Sequence, residues 1–102
     1  MSQPSANIFG TYVAPQSDYI DARVLGVNSA ESHTIPSNAK YVLFSATDDF
    51  YCLMDGTPSI PSADVEDGSA PELNPTLRDI QSASAIGLIS PRACVVTMSF
   101  YY

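Results

Sequence analysis

Positive charge is scarce in this 102-residue chain: Arg23, Lys40, Arg78 and Arg92 face eleven acidic residues, for a net charge of −7. The four lie singly along the sequence. Phosphate backbones are held by clustered Lys and Arg, so nucleic acid is not an expected partner, and a membrane surface is disfavoured for the same reason. Histidine is scarcer still. His33 stands alone, so a Ser-His-Asp arrangement would have to be built on it, and its place just ahead of Pro36 reads as a surface histidine on an edge-like strand. No G-x-S-x-G elbow, phosphate-cradling glycine loop or H-E-x-x-H pair is present. Asp55-Gly56-Thr57 and Asp67-Gly68-Ser69 reverse the Asp-Thr/Ser-Gly order of aspartic proteases, and Asp-Gly is a turn former. The expectation is a protein that is not an enzyme and carries no cofactor.

Long apolar runs are missing too. None approaches the ~18 residues of a membrane span, and Met1–Ala6 has neither the basic nor the apolar region of a secretion signal. Synthesis in a reducing cytoplasm is expected. Cysteine is limited to Cys52 and Cys94, each alternating with apolar neighbours, which reads as two buried free thiols. A disulfide would require their strands to be neighbours. Two thiols and one histidine fall short of a closed zinc site. Asp64, Glu66 and Asp67 precede Gly68, but the glycine falls at position five rather than six of a calcium loop. They read as solvated turn acids, with calcium as the alternative.

What the chain does have is short runs of β-branched and aromatic residues bounded by turn formers. Tyr19–Val27 alternates Ile20, Ala22, Val24 against Tyr19, Asp21, Arg23, Leu25, the period of a strand. His33–Pro36, Tyr41–Ala46, Phe50–Met54, Ser84–Ile89 and Ala93–Tyr102 follow, with a weaker candidate over Thr76–Ser82. Thr47-Asp48-Asp49 predicts a hairpin between two of them. Residues 56–75 form a long acidic, proline-rich loop of the kind that usually carries function. Residues 1–18 hold Phe9, Tyr12 and Val13 with one charge, Asp18, and read as an extended arm preceding a domain over 19–102. About seven short strands with no helix predict an all-β, single-domain antiparallel β-sandwich, jelly-roll-like in type.

One feature of these strands points outward. On a half-exposed sheet one face should be polar. Here Val42 and Phe44 define one face, yet Tyr41 and Leu43 occupy the other; Tyr51 and Leu53 likewise oppose Phe50, Cys52 and Met54. Apolar side chains on both faces imply that a partner, the arm or the long loop covers the second. Phe9, Tyr12, Val13, Tyr41, Leu43, Tyr51 and Leu53 are therefore the expected contact residues.

The run Ile35-Pro36-Ser37-Asn38-Ala39-Lys40-Tyr41-Val42-Leu43-Phe44-Ser45-Ala46-Thr47-Asp48-Asp49-Phe50-Tyr51 resembles a block found in small structural proteins of tailed bacteriophages. Ile60–Gly68, Glu72-Leu73-Asn74-Pro75, Leu88–Pro91 and Ala93–Thr97 resemble later parts of the same proteins, so the likeness spans roughly residues 33–102. The resemblance implies a virion location and a capsid decoration, or cement, role, with the major capsid protein or another virion protein as partner and a homo-oligomeric state. A head–tail connector, tail or fibre-base protein is the alternative, as is a carbohydrate-binding attachment module.

Overall fold

The computed structural model describes residues 15–102 and, ahead of them, the backbone of two short strands, β1 (Ser5–Ala6) and β2 (Tyr12–Val13), paired antiparallel with Ser5 opposite Val13. The remaining strands are β3 (Tyr19–Leu25), β4 (Glu31–Thr34), β5 (Tyr41–Ala46), β6 (Tyr51–Met54), β7 (Glu72–Leu73), β8 (Leu77–Asp79), β9 (Ala85–Ile89) and β10 (Cys94–Tyr101). They form two antiparallel four-stranded sheets, ordered β3-β10-β5-β8 and β4-β9-β6-β7. Successive strands from β3 to β6 alternate between sheets, and so do β8, β9 and β10. This is the eight-stranded wrapping of a jelly roll. No helix occurs among the described residues.

Strand β10 sets the pattern. Cys94, Val96, Met98 and Phe100 point inward and are buried, while Val95, Thr97, Ser99 and Tyr101 point outward. A strict period of two on a central strand is what a sheet packed on one side requires. Its inward residues meet Leu25, Val42 and Phe44 of their own sheet and Phe50, Cys52, Ile86 and Leu88 of the other in one core. Val96, Met98 and Phe100 are essentially sealed from water, each burial stabilising the fold by about 1.5–3 kcal/mol.

Three expectations need correction. The Asp48-Asp49 connection is not a hairpin, because β5 and β6 lie in different sheets. It is an arch: Thr47 N–H still donates to Val95 O at 3.0 Å in one sheet, while Phe50 O already accepts from Asn74 N–H at 2.9 Å beside the other. Crossing over lets Phe44 and Phe50 meet with ring centroids 5.7 Å apart, whereas a hairpin would have set them side by side. His33 is not on the surface. It faces inward on β4 opposite Ile86, with 8% of its area exposed. The strand count also rises, since Glu72–Leu73 inside the predicted loop pairs with β6, while the expected His33–Pro36 strand is shifted to Glu31–Thr34.

Both cysteines are free and buried. They belong to opposite sheets, Cys52 on β6 and Cys94 on β10. Burial pushes the Cys52 thiol up to about 12, with the Glu72 carboxylate adding to the shift, so it stays protonated and inert at neutral pH.

Candidate functional site

The two sheets turn different outer faces to their surroundings. On the β3-β10-β5-β8 sheet the pairing register places Ile20, Ser99, Leu43 and Leu77 in one row across all four strands. Ala22, Thr97 and Ser45 make a second row, Val24 and Val95 a third, and Tyr101, Tyr41 and Asp79 a fourth. Among these paired positions Asp79 alone carries a charge. Ile20, Val24, Tyr41, Leu43 and Leu77 are between 39% and 75% exposed. Isolated surface hydrophobes are ordinary, but these five share one continuous sheet face with almost no charge and form an exposed apolar patch.

The outer face of the β4-β9-β6-β7 sheet is different. Its rows are Ser32, Gly87 and Leu53; Thr34 and Ala85; and Ile89, Tyr51 and Leu73. The segment Gly56–Pro58 lies against its centre. A Cβ at Gly87 would collide with the Gly56 carbonyl oxygen and come within 2.6 Å of Pro58 Cδ, and one at Gly56 would come within 2.7 Å of Leu53 Cδ2. Glycine at both positions permits this close approach. Pro58, Gly87 and Ile89 are buried, and Tyr51 and Leu53 are half-buried; Leu73, on the edge strand, stays exposed.

The seven residues expected as contacts are thus not gathered in one place. Tyr41 and Leu43 lie on the open face, whereas Tyr51 and Leu53 lie on the opposite side of the sandwich. Phe9 and the side chains of Tyr12 and Val13 fall outside the described residues. Ile20, Val24 and Leu77 join the open face without having been singled out. The alternation of Ile20, Ala22 and Val24 was legible, but only the pairing with β10 shows that this set faces out.

Charge is kept to the margins. Across one lateral opening of the sandwich, Arg78 of β8 reaches Glu72 of β7 at 2.6 Å. At the other opening, Asp21 and Arg23 of β3 accompany Glu31 and His33 of β4, with His33 Nε2 3.2 Å from Glu31 Oε1 but out of line for a hydrogen bond. Burial, helped by the Arg23 charge, lowers the His33 pKa, against the opposing pull of Glu31 and Asp21. At the arch, Arg92 holds Asp48 through two 2.9 Å contacts and reaches Asp49 at 3.4 Å. That hydrogen bonding, with the Asp49 N–H, brings the Asp48 carboxyl down to about 2. All three arginines therefore have carboxylate neighbours within the chain.

A shallow depression of about 360 Å³ lies beside Asp55, Glu72, Arg78, Asp79 and Gln81. Its charged groups are already engaged. Arg78 holds Glu72, Asp55 accepts from the Ser84 and Ala85 N–H groups, and Asp79 accepts from Gln81 N–H. No group of three or more metal-ligating side chains occurs among the described residues. Searches of protein-family models, of curated proteins and of solved structures give no match to this chain.

Proposed function

We propose that this is a non-enzymatic structural protein that docks through the open face of its β3-β10-β5-β8 sheet, and that its partner is the major capsid protein of a virion it decorates and stabilises. The observation that carries the reading is that face: Ile20, Val24, Tyr41, Leu43 and Leu77 exposed together on one side of a rigid sheet with a single charge among its paired positions. A flat apolar patch is matched by an uncharged patch on the partner, and a standard contact removes roughly 800 Å² from each side. The likeness of residues 33–102 to small phage structural proteins supports a capsid as that partner. So does the chemistry of the chain, whose arginines each lie beside carboxylates of the same chain at the arch and the two openings.

The test is addition of purified protein to capsid shells assembled without it. The Leu43→Asp, Leu77→Asp variant should keep the wild-type circular dichroism spectrum and fail to co-sediment with the shells, because two buried carboxylates would face an apolar patch. Co-sedimentation of that variant at wild-type stoichiometry would overturn the reading, as would wild-type protein that never binds the shells.

A further inference from the structure

Strand β3 is the edge of its sheet, and among the described residues only β10 pairs with it. Its seven residues, Tyr19-Ile20-Asp21-Ala22-Arg23-Val24-Leu25, contain no proline, lysine or glycine; the inward-facing charges Asp21 and Arg23 are what guards this edge, and being of opposite sign they turn away most strands but not a complementary one. An unpaired row of backbone N–H and C=O groups of this length is a template for another strand.

The side chains say which strand. Laid antiparallel against a second copy of itself about Ala22, β3 sets Asp21 opposite the partner's Arg23, Ile20 opposite the partner's Val24, and Tyr19 opposite the partner's Leu25. Opposite charges and aliphatic pairs directly across a ladder are the favourable combinations. A two-residue slip in one direction puts Asp21 opposite Asp21, and in the other Arg23 opposite Arg23. A one-residue slip turns one copy's outer face to the other's inner face. A single register therefore satisfies both charge and facing, and it has the two-fold self-complementarity that a symmetric dimer demands.

A second observation agrees. The Arg23 guanidinium lies 3.8 Å from its own Asp21, too far for a hydrogen bond, and 40% of its side chain is exposed. A second Asp21, arriving across the two-fold, would give those exposed N–H groups an acceptor and close an alternating ring of two carboxylates and two guanidiniums.

We infer that the protein forms a two-fold homodimer by antiparallel pairing of β3 with β3 about Ala22, joining two four-stranded sheets into one of eight. The dimer places both open faces on the same side and doubles the uncharged surface. Its evidence is independent of the docking reading, because β3 pairing needs no capsid. Seven-residue edge pairing is a small contact by the standards of stable dimers, so the dimer should be weak and concentration-dependent.

Sedimentation equilibrium at physiological salt tests it, with circular dichroism confirming that each variant is folded. Wild type should dimerise. Asp21→Arg and Arg23→Asp each place like charges opposite one another, so each alone should dimerise roughly tenfold more weakly or worse. An equimolar mixture of the two restores both opposite-charge pairs and should recover wild-type association. Ala22→Cys sits on the two-fold axis, where either ladder geometry holds the Cα atoms within disulfide range, and should yield a covalent dimer on mild oxidation. Wild type that remains monomeric at hundreds of micromolar, single variants that associate like wild type, or a mixture that fails to recover association would each overturn the dimer. Failure of the shell-binding test leaves these results untouched.

Discussion

The two sheets of this sandwich carry comparable apolar side chains on their outer faces and treat them in different ways. Over β4-β9-β6-β7, the chain returns after β6 and lays Gly56–Pro58 on Gly87 and beside Leu53, and Leu53 and Tyr51 are both half-buried. Over β3-β10-β5-β8, Ile20, Val24, Leu43 and Leu77 stay in water among the described residues. The difference shows that an apolar outer face has two solutions. One is intramolecular and needs glycine at the point of contact; the other leaves the area open. Reading both faces alike, as the alternation of Tyr41 with Leu43 and of Tyr51 with Leu53 invites, merges a covered surface with an open one.

Substitution at the contact point of the covered face has the largest expected effect. Gly87→Ala drives a methyl group into the Gly56 carbonyl, and backbone has less room to yield than a side chain. Urea unfolding should show a loss of roughly 1–3 kcal/mol, the usual cost of overpacking. An unchanged midpoint would mean that Gly56–Pro58 does not seal this sheet.

A smaller effect separates the two lateral openings. His33 is buried with its pKa lowered from 6.5, so below that value the unfolded chain takes up a proton that the folded chain refuses. Stability therefore falls as pH drops through 6.5 towards the folded-state pKa, and rises again on return to neutrality. His33→Gln should flatten that limb in a series of thermal melts. The Arg78–Glu72 side behaves differently, because its carboxyl is held below the usual range by the guanidinium and stays ionised until more acid conditions. The Asp48 contribution is complete above 3.8 and is lost as pH falls towards about 2. A melting temperature that is flat between pH 7 and the carboxylate range would contradict the buried histidine.

The smallest effect on stability is expected on the open face. Leu43→Ser with Leu77→Ser removes exposed side chains that touch no core, and should shift unfolding by no more than about 0.5 kcal/mol per site. The same pair should weaken attachment to shells. Strong destabilisation instead would show that this face, too, is packed by the chain itself.

Much of the fold was legible residue by residue. Cys94 to Tyr101 announced a half-buried strand through its alternation, and Tyr19 to Leu25 did the same. The weak Thr76–Ser82 candidate holds β8, supported by three paired residues. Other features were not legible. Thr47-Asp48-Asp49 is equally short for a hairpin or an arch, and the choice rests on Phe44 and Phe50 meeting across the core, a contact that local spacing does not encode. His33 looked exposed because Pro36 follows it, yet Ile86 on a distant strand draws it inside. Of the candidate contact residues, Tyr41 and Leu43 were identifiable from their place opposite Val42 and Phe44. Ile20 and Leu77 were not, since their membership of the same row depends on Ser99 and Leu43 lying between them.

Alternation along each short segment, set by the pleat of a single strand, was enough to establish a chain of β segments with two apolar-facing thiols and a strongly acidic balance. Which segments share a sheet, which outer surface the chain folds back upon, and which strand is left at a border were settled only in three dimensions. Pleating is a property of neighbouring residues, whereas sheet membership and coverage are agreements between residues far apart in sequence, reached when one core had to be filled from both sides.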